Sequence, residues 1–222
     1  MPSSNSVRHR TRWAGIPAED RISERRALLV DAAFDLLGTE GSAATTVRAV
    51  CQRARLNPRY FYESFEDLDA LVVAVYDRLV DDLRDELQTA VDKAGTDAAA
   101  QVRAVVQCTV RFVDEDRRRG RVLYGEALGN EALNRRRIET GFATAEVMAA
   151  ANGQVAQRIA AAIIVGGFSE LLMAWLDGRI KASRAQLVDQ TTAMFLAVAE
   201  AAGSIAAKAG KPGSAGRRRT RP

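Results

Sequence analysis

The stretch Thr45–Phe65, TTVRAVCQRARLNPRYFYESF, constrains this chain more than any other. Val47, Val50, Cys51 and Ala54 recur at i, i+3, i+4 and i+7, the spacing of one helix face. Thr45 or Thr46 supplies a hydroxyl to cap that helix. Arg55-Leu56-Asn57 reads as a turn. Asn57 then caps a second helix, and Pro58 suits its first position, where the missing N–H has no intrahelical partner. Phe61 and Phe65 point inward, which leaves Arg59, Tyr60, Tyr62 and Glu63 largely outward. Two short helices, the second tipped by a guanidinium and two phenols, have the geometry that enters the major groove of DNA. A plain hairpin with every aromatic in the core is the alternative. A helix this short buries only one face, however, and Tyr60 and Tyr62 fall off the Phe61–Phe65 face.

The rest of the chain predicts an all-α protein of about nine helices. Its 222 residues are 47% apolar, with only five prolines, and rich in alanine, leucine, arginine and glutamate, good helix formers. A first helix is expected from about Ala18 to Glu40, stopped by Gly41. Asp67 caps a long helix to about Ala94, ended by Gly95-Thr96. Further helices are expected over 97–116, 121–128, 131–150, 155–177 and from Ser183 to about Ala202, with Arg117–Gly120 as a loop and Gly178 as a stop. The expected organisation is a basic arm without fixed structure (1–16), a three-helix reading module (17–66), a larger helical bundle (67–203) and a disordered basic tail (204–222). The helix over 67–94 belongs to both modules and can couple them.

Charge is distributed unevenly. The net charge is +4, but residues 1–16 and 204–222 carry nine basic residues and no acid, so residues 17–203 carry −5. Inside that acidic body, residues 41–65 set Arg48, Arg53, Arg55 and Arg59 against Glu63. A basic island with basic ends points to a polyanionic partner. Solvated disorder is the alternative account of the ends, and the arm's Arg8, Arg10 and Arg12 also suit a narrow minor groove.

Cys51 and Cys108 stand alone within helical patterns and read as buried, reduced thiols. The N-terminus has no apolar signal region, and uncharged runs such as Ile159–Ser169 fall short of the roughly 20 residues that span a bilayer. A soluble, cytoplasmic protein without membrane contact is expected. The one histidine, His9, lies in the arm, and no metal-ligand spacing, GxSxG or phosphate-binding loop occurs. Neither an enzyme, a metal nor a cofactor is expected.

The segments AAFDLLGTEG, TTVRAVCQRARLNPRYFYESF and EDLDALVVAVYDRL together resemble the TetR family of transcriptional regulators, and GGFSELLMAWLDGRI is similar to that family's penultimate helix. The matching positions are Thr46, Val50, Leu56, Tyr62 and Phe65. Two positions depart from the pattern. Arg55 stands where the family has Gly in the turn, and Leu68 where it often has a phosphate-touching Lys. Arg55 or an arginine of the arm is the candidate replacement for that contact.

The resemblance implies double-stranded DNA as partner. Thr46 and Tyr62 are assigned to phosphates, Arg48 and Arg59 to guanine, where a bidentate pair is worth about 1–3 kcal/mol of discrimination. Tyr60 is assigned to a thymine methyl or a phosphate. Asn57 reads adenine or only caps its helix; Glu63 accepts from cytosine or is a solvated carboxylate. The last two helices carry small and apolar residues (Ile163, Ile164, Gly166, Gly167, Leu171, Phe195 and Val198) beyond what one buried seam needs. The resemblance implies a four-helix homodimer bundle there. It also implies a cavity for a small, mostly apolar effector, with Phe112, Tyr124, Phe142, Met148, Phe168, Met173 and Trp175 as candidate lining. A ligand-released repressor is the leading expectation. A TetR-like activator and a helical scaffold with a basic patch for an acidic protein are the alternatives.

Overall fold

The computed structural model describes residues 18–150 and 154–209; the expected arm, with His9, lies outside them, as does 210–222 of the expected tail. Among the described residues the chain is all-α, with nine α-helices and no strand. These are α1 (Ala18–Thr39), α2 (Val47–Ala54), α3 (Pro58–Ser64), α4 (Leu68–Ala94), α5 (Ala98–Glu115), α6 (Arg117–Gly120), α7 (Glu131–Ala149), α8 (Val155–Leu176) and α9 (Arg184–Ala209).

Local chemistry sets most boundaries. Side chains of Thr46, Asn57, Asp67, Asp97, Asp116 and Asn130 each accept a backbone N–H at a helix start. These are the helix-initiating groups that lack an intrahelical partner. Gly41, at φ 89°, turns the chain out of α1 in a conformation that L side chains rarely adopt.

Two boundaries differ from expectation. Arg117–Gly120 is a helical turn rather than a loop, and it runs on through a π-helical turn at Arg121–Gly125 and a 3-10 turn at Glu126–Gly129. Asp116 caps it and pairs with Arg118 at 2.8 Å, so one charge of the arginine run is met locally. The last helix does not fade at Gly203 but continues to Ala209, with Ala202 and Ala206 buried one turn apart. Gly203 faces open space, so its cost is only the roughly 1 kcal/mol of a helical glycine.

α1, α2 and α3 close around Leu29, Leu37, Val50 and Phe61, all fully buried. Burying one such side chain stabilises the fold by about 1.5–3 kcal/mol. The same apolar cluster continues without a break through Leu71 and Val75 of α4, Val106 and Phe112 of α5, Leu172 of α8 and Leu187 of α9. α8 packs between α7 and α9, and α9 also lies on α5.

A polar seam joins the α1 end to the turns after α6. Glu126 accepts from the Ser42 N–H (2.6 Å) and the Ser42 hydroxyl (2.8 Å), and pairs with Arg121 at 2.7 Å. Arg121 also donates to the Thr39 carbonyl at 2.9 Å. Asp35 of α1 bridges Arg53 of α2 and Arg118 of α6. A methyl group on Gly41 would meet Arg121 at 2.9 Å, so a side chain there would push the seam apart.

α8 and α9 are each long and apolar enough to cross a membrane, with mean hydropathy of 1.9 and 1.2 over their most apolar windows. Charged residues interrupt these helices, Arg158 and Glu170 in α8, so the uncharged runs stay as short as expected. Only 17% of each window is buried within the chain, so the apolar surplus of these helices is not explained by the chain's own core.

Candidate nucleic-acid interface

The turn between α2 and α3 is built on Arg55, the one described residue other than glycine with positive φ (φ 55°, ψ 40°). The Leu56 N–H returns to the Cys51 carbonyl at 2.9 Å, and the Arg55 N–H to Gln52 at 3.2 Å. This is the glycine-favouring termination of a helix, made here without glycine. Its left-handed cost of about 1–2 kcal/mol is carried by the turn itself.

α3 is held from one side and open on the other. Phe61 is fully buried and meets Tyr62 edge-on at 5.2 Å, and Phe65 closes the helix. Tyr62 is 65% exposed, and the Arg59 side chain is 83% exposed. Thr46 and Arg48, at the start of α2, and Arg55 of the turn are also exposed. Thr46 Oγ1 accepts the Ala49 N–H at 3.1 Å. Asn57 Oδ1 accepts the Arg59 N–H at 2.9 Å, which makes it a cap.

Two expectations at this site change. Tyr60 is half-buried rather than outward, because the Arg25 guanidinium of α1 lies 4.2 Å over its ring. Glu63 is not a free solvated carboxylate: Oε1 takes Arg59 Nε–H at 2.9 Å and Oε2 faces Arg25 at 3.7 Å. Arg26 completes the clamp, donating to the Ser64 carbonyl at 2.7 Å while covering Phe65 at 4.0 Å. Sequence reasoning missed Arg25 and Arg26. The available signal was that both fall between the apolar positions of α1, yet partners on α3 lie some 38 residues away. Leu68 is half-buried against the core and offers no charge.

Among the described residues, those expected around an effector line neither of two surface clefts and differ in burial. Phe112 and Trp175 are buried core, the latter donating Nε1–H to the Ala182 carbonyl at 2.9 Å. Tyr124 and Phe168 pack half-buried against that core, and Met173 is half-buried. Burial pushes the Tyr124 phenol well above its ordinary value, so it remains a hydrogen-bond donor at neutral pH. Phe142 and Met148 are 66% and 48% exposed on α7. They are turned outward because α7 meets α8 through the small pair Ala145 and Ala149 against Ala161. Two surface clefts, of about 400 and 320 Å³, have other linings: the Ser42–Glu126 seam, and Asp85, Glu86, Thr89 and Arg111.

Of the expected dimer residues, Ile163, Gly166 and Gly167 are exposed, and Ile164 and Val198 half-buried. Leu171 and Phe195 instead pack against the chain's own core, Phe195 edge-on to Phe168 at 5.3 Å. The exposed apolar surface extends over Val155, Ile159, Met194 and Ile205, which sequence reasoning did not single out. Cys51 and Cys108 are buried and unpaired, and burial pushes both thiols up, away from the reactive thiolate. Among the described residues, no group of three His, Cys, Asp or Glu side chains is placed to hold a metal ion.

Residues 29–75 match the model of the bacterial regulatory proteins of the tetR family. The likeness to this family is carried by the head of the chain. The chain is 29% identical over 114 residues to the HTH-type transcriptional regulator BetI of Rhizobium meliloti (strain 1021); the match covers 50% of the chain and 56% of BetI, about half that regulator's length. Its fold is that of a tetR-family transcriptional regulator from Streptomyces coelicolor (TM-score 0.68, 22% identity, covering 85% of this chain and 86% of that one). The multidrug binding protein EbrR, solved with imidazole, shares it too (TM-score 0.61, 18% identity, covering 76% and 93%).

Proposed function

We propose that the protein is a cytoplasmic, homodimeric, sequence-specific DNA-binding repressor, released by a small, mostly apolar effector. One observation carries the reading: α3 is clamped along its inner side by Phe61, Phe65, Arg25 and Arg26, while Arg59 and Tyr62 stand in solvent. Arg48 and Arg59 take the guanine contacts. Thr46, Tyr62 and Arg55 take phosphates, which fix register without carrying sequence. Residues 17–66 act as the reading module and 67–203 as the effector and dimer module, with α9 continuing beyond that boundary.

The dimer reading is supported by the apolar side chains of Val155, Ile159, Ile163 and Met194, all exposed among the described residues. Pairing two copies sets two reading helices against a palindrome, whose half-sites lie about 34 Å apart. Occupying such a site blocks other proteins from it without any further contact surface, which favours repression over activation. The effector reading is supported by the half-buried Tyr124, Phe168 and Met173 and by the likeness to EbrR, named as a multidrug binding protein. An effector acts by favouring one spacing of the two heads; the Ser42–Glu126–Arg121 seam, with Asp35–Arg118, is a polar link between the body and the head.

The test is footprinting on the DNA upstream of the protein's own gene. A discrete protected palindrome is expected, lost in Arg59→Ala by about 1–3 kcal/mol of discrimination and weakened but not re-specified in Tyr62→Phe. Equal binding to scrambled duplex would sink the reading and favour a scaffold for an acidic partner.

A further inference from the structure

Glu63 is the one acid on α3, and it faces the surface proposed for a polyanion. Repulsion from phosphates makes a carboxylate there unfavourable unless it does something else. Its two oxygens are both engaged. Oε1 accepts from Arg59 Nε at 2.9 Å, one helical turn back, and Oε2 faces Arg25 NH1 at 3.7 Å. Arg25 is itself fixed: its side chain is 18% exposed, with its guanidinium 4.2 Å above the Tyr60 ring. The arrangement runs Tyr60, Arg25, Glu63, Arg59, from the anchored side of α3 to the open side.

A guanidinium has two hydrogen-bonding edges, one made by Nε and a terminal nitrogen, the other by the two terminal nitrogens. When Nε is taken by Glu63, the two-nitrogen edge remains free, on a side chain 83% exposed. That edge is one that pairs with O6 and N7 of guanine. We propose that Glu63 is a positioning residue for base reading. It holds Arg59 in a guanine-reading pose before DNA arrives, and Arg25 holds Glu63. The inference rests on the DNA-binding reading and adds a claim that reading does not need. Sequence preference is set by a pair, Glu63 with Arg59, and not by Arg59 alone. The carboxylate acts twice: it lowers the rotamer freedom that Arg59 must lose on binding, and it disfavours duplexes that offer Arg59 only phosphates.

The experiment is selection from a random-sequence duplex library by the full-length wild type, Glu63→Gln, Glu63→Ala, Arg59→Ala and the double variant Arg59→Ala/Glu63→Ala. Enrichment is read base by base, alongside affinity for a scrambled duplex. The wild type should enrich a motif with a guanine position that Arg59→Ala loses. Glu63→Ala should lose about tenfold of the preference at that same position, keep the others, and bind scrambled duplex as well as or better than wild type. Glu63→Gln, whose amide oxygen can still accept from Nε, should fall between wild type and Glu63→Ala. In the Arg59→Ala background, removing Glu63 should cost no further preference, the signature of a coupled pair. A merely structural role would lower all positions together and lower the melting temperature, and that result overturns the proposal. So does a Glu63→Ala motif identical to wild type. If Glu63→Ala does not fold, Glu63→Gln decides by the same base position. A wild type that enriches no motif fails the DNA-binding reading itself, a result distinct from the others.

Discussion

On α3, Arg59 and Tyr62 stand in solvent while Tyr60, Phe61, Glu63 and Phe65 around them are all engaged. On α8 and α9, Val155, Ile159, Ile163, Met194 and Ile205 stand in solvent too, with Gly166 and Gly167 on α8, where an added methyl would meet nothing within 4 Å. The first surface is small, charged and braced by contacts from α1. The second is long, apolar and unbraced. Exposed charge on a braced helix needs no partner for stability and gains only from one that matches its geometry. A continuous exposed apolar strip costs free energy until something apolar covers it. The pair teaches that one chain can advertise two kinds of partner, and that burial statistics alone would class both regions as surface.

The largest test of that contrast is a charge placed in the strip. In a two-fold interface each substitution appears twice, so Ile163→Asp sets two carboxylates into one apolar seam. Sedimentation should show a monomer with an unchanged helical spectrum, since Ile163 is 59% exposed and its loss leaves no cavity. Affinity for the palindrome should fall by about 10²–10⁴ as two linked half-sites become separate ones. A protein that stays dimeric with Asp at 163 would break the comparison.

The seam between the two regions gives the next effect. Glu126 is 13% exposed and receives three hydrogen bonds, from Ser42 twice and from Arg121. Burial pushes its carboxyl up, but the Ser42 and Arg121 donors outweigh this and hold it below the ordinary value of 4.5. A carboxylate so depressed stabilises the fold fully above its unfolded value and loses that contribution as pH falls through the lower, folded one. Arg118 lowers Asp116 in the same way, mainly by direct hydrogen bonding. Glu126→Gln should cost about 2 kcal/mol at neutral pH, read by denaturant unfolding. The gap to wild type should close as pH falls below about 4.5, the ordinary glutamate value. A gap that persists at low pH would mean the seam holds by shape and not by charge.

Much of this was legible from residue order, and what was not has a common cause. Thr46, Asn57, Asp67 and the stop at Gly41 act within four residues of themselves, so local chemistry places them. The reading helix follows from Phe61 and Phe65 sharing a face. The expected loop at Arg117–Gly120 failed because the turn is stabilised from afar: Asp35 pairs with Arg118, and a methyl on Gly38 would meet the Arg118 Cβ at 2.4 Å. Phe142 and Met148 failed because an apolar side chain announces burial without saying in which surface; here α7 turns its alanines inward instead. Arg25 failed because its partners are on another helix. Residue type tells which groups need partners, and only the fold supplies their identity.

The smallest expected effect separates the two regions most cleanly. Arg55 holds a left-handed conformation that glycine adopts freely. Arg55→Gly removes that cost, so the head should gain about 1 kcal/mol, less than the full left-handed penalty because glycine also loosens the unfolded chain. The same change removes one exposed charge from the DNA side. Affinity for any duplex should drop, and the slope of log affinity against log salt should flatten by about 1.8, the loss of one phosphate contact from each of the two heads. Arg55→Lys controls for both: it retains the charge and the strain, so it should move neither stability nor salt slope. Association through α8 and α9 should be untouched in both variants, because the turn lies in the head and the strip in the body. Stability and salt dependence thus move in opposite directions at one residue. If Arg55→Gly instead binds with an unchanged salt slope, the turn arginine touches no phosphate, and the contact absent at Leu68 must come from elsewhere on the head.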